Sequence, residues 1–129
     1  MEMRIHFPGG RRVTAEYNDF TMPTDQPRNS GGDQSAPAPF DLFLASLGTC
    51  AGIYVLDFLR LRNLDTQGLE LVQRHEWNPQ TGRLDRVILT IHLPEGFPDR
   101  YRKAVINAAG LCAVKKHLEN PPEFQIETA

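Results

Sequence analysis

Two cysteines, Cys50 and Cys112, are the residues of this 129-residue chain best suited to chemistry. A thiolate is a strong nucleophile, and two thiols that meet in a folded protein can be oxidised to a disulfide. Cys50 lies inside the uncharged run LFLASLGTCAGIYVL, where a free cysteine often packs as a small hydrophobic residue. Gly48 and Gly52 flank it and would let a ligand or another backbone approach the sulfur. The residues therefore leave both inert packing and thiol chemistry open.

Other kinds of site have weaker support. The four histidines show no metal-ligand spacing among themselves or with the cysteines, so we expect no bound metal. The chain has neither a GxGxxG motif nor a P-loop, and its serines lack the pattern of a nucleophile elbow. We therefore expect no organic cofactor either.

Composition predicts one domain, residues 1–129, in the cytoplasm. A hydrophobic fraction of 40% supplies a core, and the net charge of −2 with no long Lys/Arg run gives no electrostatic case for nucleic acid. The N-terminus lacks an apolar signal core, and the longest uncharged run is shorter than the roughly 20 residues that span a bilayer. Two distant cysteines do not suggest a secreted disulfide scaffold. We expect neither a membrane nor a nucleic acid as a partner.

The first third of the chain shows the period-two pattern of strands. Alternating apolar residues predict strands over 3–7 and 12–17, joined by a turn at Pro8–Gly10, and a short edge strand over 20–24. Residues 25–39, rich in proline and containing Gly31-Gly32, are predicted to be a loop. Such a loop can be a plain tether or can line a site.

A long helix is predicted to carry Cys50, from Pro39 or Phe40 to about Arg62, with Asn63 ending it. Apolar residues occupy nearly every face of this helix. Because so small a domain has difficulty enclosing such a helix, we expect a partner subunit to cover the rest, in a homodimer.

The remaining residues predict a strand pair followed by a second helical region. Strands are expected over 69–77 and 83–93, with the helical region beginning at Pro98. Gly110 could divide this region into two shorter helices, and Cys112 is expected mid-way along its helical segment. A final strand is predicted over 123–129. The order of elements predicts an α+β fold with antiparallel pairing.

Two motifs resemble the OsmC/Ohr family. The segment GG…APAPFDLFLASLGTCAG is similar to the family's double glycine, proline-led helix and first cysteine, and NAAGLCAVKKHLE is similar to its second-cysteine segment. The order of elements also agrees over essentially the whole chain. The resemblance implies an OsmC-like fold, with an antiparallel sheet packed on two main helices. It also implies an intertwined homodimer with the long helices at its centre.

The same resemblance implies a thiol-dependent peroxidase that reduces organic hydroperoxides. Cys50 would be the attacking cysteine, and Cys112 the resolving cysteine that forms a disulfide with it. An arginine of the N-terminal hairpin would stabilise the thiolate; Arg11 matches by motif, Arg12 is the alternative, and both could equally be solvated turn residues. The apolar surroundings favour an alkyl or fatty-acyl hydroperoxide. The resemblance implies a dithiol reductant, such as a lipoylated protein.

One position departs from the peroxidase members. They carry a glutamate directly after the helix-starting proline, whereas this chain has Phe40 there and Asp41 one position on. One residue along a helix turns a side chain by about 100°. The chain therefore resembles the less-characterised OsmC-like branch. A non-enzymatic module that binds an apolar small molecule or senses redox state is the alternative function, and a third interpretation keeps both thiols inert.

Overall fold

The computed structural model describes residues 1–129 as an α+β fold with antiparallel strands, which confirms the predicted class. Two single 3₁₀ turns, Arg28–Ser30 and Asp99–Tyr101, accompany the regular elements. The strands pair into two sheets, one formed by the first three strands of the chain and one by the last two. In chain order the elements are β1 Arg4–Gly9, β2 Arg12–Tyr17, β3 Phe20–Thr24, α1 Pro39–Leu61, β4 Glu70–Trp77, β5 Leu84–His92, α2 Arg102–Ala109 and α3 Ala113–Glu119.

The chain forms two compact units, Met1–Ala45 and Ser46–Ala129, which divide within α1. Its assignment to one domain stays a prediction. The first unit contains the predicted hairpins, with turns at Gly10 and at Asn18-Asp19. All three turn residues have positive φ angles, +58°, +44° and +63°. Positive φ at both central residues is typical of a two-residue hairpin, so Asn18-Asp19 suits the tight connection of β2 to β3.

The loop between β3 and α1 folds around one buried carboxylate, that of Asp25, which is 1% exposed. Ser35 donates to it twice, from its hydroxyl at 2.6 Å and its backbone N–H at 3.0 Å. The backbone N–H groups of Gln26 and Asp33 donate to it at 2.8 and 3.3 Å. These hydrogen bonds hold both ends of the loop together. The loop is therefore an ordered, closed structure and not a plain tether. No sequence pattern had singled out Asp25.

We expect Asp25 to make the stability of the first unit depend on pH in the acid range. The hydrogen bonds from Ser35, and then those from Gln26 and Asp33, lower the pKa of Asp25 from 3.8 to about 2. A lowered folded-state pKa contributes stability that is complete above the unfolded value and is lost as the pH falls toward 2. Asp25→Asn should reduce this acid dependence and lower the melting temperature at pH 7 by several degrees. Thermal unfolding between pH 2 and 7 measures both.

Asp33→Asn is the matched control for this prediction, because the Asp33 carboxylate lies in the same loop but is exposed. It should leave the pH dependence of unfolding near that of the wild type. An Asp25→Asn protein with unchanged acid dependence would contradict the assignment.

Helix α1 begins and ends where its sequence signals indicate. Asp41 Oδ2 accepts a 2.9 Å hydrogen bond from the Ala38 N–H, which satisfies a backbone donor at the start of the helix. Asn63, with a φ of +51°, follows the last turn, as predicted. By length and composition α1 could also cross a membrane, but core helices of globular proteins meet the same criteria. Val55 and Leu59 of this helix are fully buried within the protein.

The core of the second unit joins the C-terminal half of α1 to α2. Phe58 of α1, Val105 of α2 and Phe97 before α2 are buried together with Val55 and Leu59. Partly buried residues of β4 and β5 pack against this cluster. Burying one such side chain contributes about 1.5–3 kcal/mol. This core sets the part of α1 that follows Cys50 against the strand pair and α2.

The last residues of the chain do not form the predicted strand. The segment 120–129 contains no regular element, and Phe124 and Ile126 are exposed. A segment of alternating residues forms a strand only where another strand pairs with it. No strand of the structure pairs with this segment.

Candidate thiol site

Cys50 lies near the middle of α1, at the side of its buried face. Leu47 and Ala51, which flank it on the helix, are buried, whereas Cys50 is half-buried and Thr49 is exposed. Cys50 is therefore less enclosed than Leu47 and Ala51 beside it.

Cys112 lies at the start of α3, not mid-way along a helix as predicted. Residues 110–112 separate α2 from α3, and Cys112 is the N-cap of α3, with φ −45° and ψ 123°. Its sulfur accepts a hydrogen bond from the Lys115 N–H at 3.4 Å. Its thiol faces the Leu47 carbonyl of α1 at 4.0 Å. Gly110, a weak helix former, supplied the signal for this break, and the expected division into two helices is confirmed.

The structure brings Cys50 and Cys112 together, both as free thiols. The two thiols lie close enough to shift each other's pKa, and the backbone N–H groups of Val114 and Ala113 face the Cys50 sulfur. These two groups belong to the first turn of α3, where backbone donors have no partner within the helix. Cys50 therefore lies against the electropositive end of a second helix.

The two thiols differ in acidity because of these contacts. The Val114 N–H lowers the pKa of Cys50 most, and the hydrogen bond from Cys112 lowers it further. Burial raises the pKa of Cys112, and the neighbouring Cys50 sulfur raises it again. The arrangement therefore favours a thiolate at Cys50 beside a neutral thiol at Cys112. Sequence reasoning missed the Val114 and Ala113 donors, which only the helix break could have indicated.

Gly48 and Gly52, which flank Cys50, meet different surroundings. A Cβ atom on Gly48 would lie 2.8 Å from Oε1 of Gln73 on β4. The amide nitrogen of Gln73 in turn hydrogen-bonds to His75 Nε2 at 2.7 Å. A Cβ atom on Gly52 would meet nothing within 4 Å. Gly48 thus permits a close approach of β4, whereas Gly52 leaves open space.

Alanine at these two positions should have opposite effects on stability. Gly48→Ala forces the bonded Gln73 side chain to move, and we expect a loss of about 1 kcal/mol after the gain in helix propensity. Gly52→Ala should gain about 1 kcal/mol, because alanine is the better helix former. Urea unfolding measures both variants. Equal stabilisation by the two would contradict the Gly48–Gln73 contact, and a loss at Gly52 would indicate another chain against that face.

An apolar cavity of about 660 Å³ lies within the second unit. Its walls come from α1, β5 and α2, and it reaches Cys112 but not Cys50. Four exposed side chains border it, two apolar and two basic, namely Ile106, Leu118, Arg102 and Lys115. Its volume lies in the range of small-molecule sites.

Arg11 and Arg12 lie in the first unit, at the β1–β2 connection. The Arg12 side chain is exposed, and its Nε donates to the Gly9 carbonyl at 3.2 Å. The stem of Arg11 lies beside Gly31, where an added Cβ would be 3.4 Å from Arg11 Cδ. A role of either arginine toward Cys50 stays a prediction.

The acid nearest the position of the family's glutamate does not pair with these arginines. Asp41 bonds to the Ala38 N–H of its own helix and forms no ion pair with Arg11 or Arg12. Phe40 lies against Phe43, with ring centroids 5.1 Å apart. Asp41 therefore caps a helix here and does not replace the missing glutamate. No group of three or more histidine, cysteine or carboxylate side chains is placed to hold a metal ion.

Comparison of the sequence with family models gives one match over most of the chain. A model described as OsmC-like protein matches residues 31–127, a range that includes both cysteines and the loop glycines. No curated protein gives a significant match.

Solved structures with the same fold come from several bacteria. A protein of Psychrobacter arcticus 273-4, provisionally named an osmotic stress induced and detoxification response protein, is 23% identical, with a TM-score of 0.75 over 88% of this chain and 85% of its own. An organic hydroperoxide resistance protein OsmC of Legionella pneumophila is 21% identical, with a TM-score of 0.63 over 91% and 87%. The organic hydroperoxide resistance protein OhrB of Bacillus subtilis is 19% identical, with a TM-score of 0.53 over 94% and 93%. At these identities the likeness establishes the fold.

Proposed function

The chain belongs to the OsmC family, and on that premise we propose that it is a thiol-dependent peroxidase that reduces organic hydroperoxides. The observation that carries the proposal is the neighbouring pair of free thiols, with Cys50 lying against the first turn of α3. A peroxide-reducing thiol must be ionised and partly accessible. The lowered pKa of Cys50 and its half-buried position favour both conditions, and the neighbouring Cys112 would resolve the oxidised product.

In the first step, the Cys50 thiolate attacks the terminal oxygen of the hydroperoxide, ROOH. A bond forms between sulfur and that oxygen as the O–O bond breaks, and the alkoxide takes a proton and leaves as the alcohol. Cys50 becomes a sulfenic acid, oxidised by two electrons, while the peroxide is reduced by two. The N–H groups of Val114 and Ala113 stabilise the attacking thiolate before this step.

In the second step, the Cys112 sulfur attacks the Cys50 sulfenic acid. The S–S bond forms, the S–O bond breaks, and the oxygen leaves as water after it takes up the Cys112 proton. Because the two thiols are already neighbours in the reduced protein, the fold favours this step. A dithiol reductant, such as a lipoylated protein, restores both thiols.

Further parts of the proposal rest on family resemblance. The active form would be a cytoplasmic homodimer that takes alkyl or fatty-acyl hydroperoxides, and Arg11 or Arg12 would complete the thiolate site. Exposed apolar residues of α1, Leu42 and Ile53 among them, support a partner subunit over that helix. Arg11→Ala and Arg12→Ala, assayed separately, would identify the arginine that acts.

Stopped-flow oxidation by cumene hydroperoxide tests the proposal. A peroxidase should consume its Cys50 thiol far faster than free cysteine does under the same conditions. A rate no better than that of free cysteine would exclude the peroxidase function.

Redox sensing is the second candidate, and one observation favours it. Asp41 caps α1 and pairs with neither arginine, so this chain lacks the carboxylate–arginine pair that the peroxidase members use. A sensor would still form the Cys50–Cys112 disulfide, but slowly and without repeated turnover. Steady-state assays with a dithiol reductant separate the two functions.

A further inference from the structure

The cavity of the second unit is larger than ordinary packing leaves. Protein interiors are close-packed and contain few voids larger than a water molecule. This cavity measures about 660 Å³, and every residue of its lining belongs to the second unit. A volume of this size accommodates a small organic molecule. The second unit therefore has room for a ligand without any contribution from the first.

The walls of the cavity suit an alkyl chain. Most of the lining is aliphatic, and α1, β5 and α2 each supply buried or half-buried side chains, such as Leu47, Leu89 and Val105. No carboxylate lines the cavity. Because apolar surface is stabilised by its removal from water, such walls favour a hydrocarbon ligand over a polar one.

The charged side chains of the lining are both basic, and both lie at its exposed border. They are Arg102 of α2 and Lys115 of α3. A Cβ atom on Gly110, which is itself part of the wall, would lie 3.8 Å from Lys115 Nζ, so this ammonium group lies beside the cavity. Positive charge at the border of an apolar interior matches a carboxylate at the end of an alkyl chain.

The local ion pairs of these two residues leave donors for a ligand. Arg102 bonds to Asp99 through Nε at 2.8 Å, and its two terminal nitrogens donate to no other group. Lys115 Nζ lies 3.6 Å from Glu119, which is longer than a good hydrogen bond. Both pairs are exposed, and exposed ion pairs contribute little to stability. Each cation can therefore hold a ligand carboxylate at small cost.

We propose that this cavity binds a fatty acid, with its alkyl chain among the aliphatic side chains of α1, β5 and α2 and its carboxylate at Arg102 and Lys115. The site goes beyond the proposed function, because its ligand carries no peroxide and Cys50 does not line the cavity. Binding makes and breaks no covalent bond.

Isothermal titration of the reduced full-length chain with sodium octanoate and sodium decanoate tests whether the chain of the ligand is buried. Decanoate should bind roughly fifteenfold more tightly than octanoate, since each buried methylene strengthens binding about fourfold, equivalent to about 0.8 kcal/mol. The absence of decanoate binding would overturn the inference, and so would equal affinities for the two acids.

A double variant, Arg102→Gln with Lys115→Gln, tests the position of the carboxylate. It should weaken decanoate binding by about tenfold or more and leave the affinity for decan-1-ol unchanged, because the alcohol has no charge. Lys103→Gln with Lys116→Gln is the matched control. It removes the same charge from exposed neighbours on the same two helices, outside the cavity lining. Decanoate affinity in the control should stay within about twofold of the wild type, since salt screens distant charges.

Equal losses in the two double variants would overturn the site, because they would show attraction to a basic surface and not to this border. A parallel loss of decan-1-ol binding would overturn the assigned position of the carboxylate.

A single substitution on α2 tests whether the ligand occupies this cavity. Ile106→Glu places a carboxylate at the border and should weaken decanoate binding by about tenfold or more. Asn107→Glu adds the same charge at an exposed neighbouring position outside the lining, and its affinity should stay within about twofold of the wild type. Both positions are exposed, so both variants should fold, which circular dichroism checks. Equal affinities in the two variants would overturn the assignment to this cavity.

The two proposals can fail separately. A protein that ignores cumene hydroperoxide but binds decanoate with the expected losses refutes the peroxidase function and supports this inference. A fast peroxidase that does not bind decanoate supports the peroxidase function and refutes this inference.

Discussion

Cys50→Ser should lower the rate of cumene hydroperoxide reduction by about a thousandfold, because it removes the attacking nucleophile and several kcal/mol of transition-state stabilisation. The variant should fold normally, since serine is close to cysteine in size and the site is half-buried. Stopped-flow kinetics of the reduced protein measure the loss. Circular dichroism and the unfolding midpoint check that the fold is retained.

Cys112→Ser is the matched control, since it alters the other member of the pair. Its first oxidation should stay within about tenfold of the wild-type rate, because Cys50 keeps the Val114 and Ala113 donors. Its second turnover should fail, and a dimedone-reactive sulfenic acid should accumulate. Equal losses of the first oxidation in both variants would contradict the assigned roles.

Gly32→Ala should destabilise the protein by about 2–3 kcal/mol, the upper range for an overpacked site. A Cβ atom on Gly32 would overlap the Gln26 carbonyl oxygen, which is backbone and cannot rotate away. The Gln26 N–H is bound to the buried Asp25 carboxylate, so the obstacle is itself held in place. Urea unfolding measures the loss.

Ser30→Ala provides the comparison for this variant. Ser30 is exposed in the same loop, and its hydroxyl makes only a 3.4 Å hydrogen bond to Asn29. We expect a change within about 0.5 kcal/mol, as for ordinary surface substitutions. A Gly32→Ala protein as stable as Ser30→Ala would mean that the loop opens to accept the methyl group.

Local sequence patterns predicted much of the fold, because the interactions behind them act over short distances along the chain. The turn at Asn18-Asp19, the extent of α1 and the break at Gly110 follow from positive-φ residues, capping groups and helix propensity. The prediction of a strand over residues 123–129 was wrong because strand formation depends on more than the segment itself. A strand depends on a pairing partner, which alternation within one segment does not report.

For the candidate site, too, the sequence predicted what belongs to the residues themselves and missed what depends on contacts between distant segments. Residue types and spacing singled out Cys50 and Cys112 and their resemblance to a two-cysteine family. Their unequal acidity could not be predicted from spacing, because it arises from Val114 and Ala113 N–H groups exposed where α3 begins. Asp25 was missed for a similar reason, since its four hydrogen bonds come from backbone and side-chain groups gathered by a loop.

The uncharged run around Cys50 specified a helix with a thiol and two flanking glycines, since helix propensity and apolar character belong to the residues themselves. Only the tertiary structure decided what that thiol meets: the start of α3, the Cys112 sulfur and, beside Gly48, Gln73 of β4. These contacts join residues far apart in the chain, and the hydrophobic core that packs α1 on the strand pair and α2 brings them together.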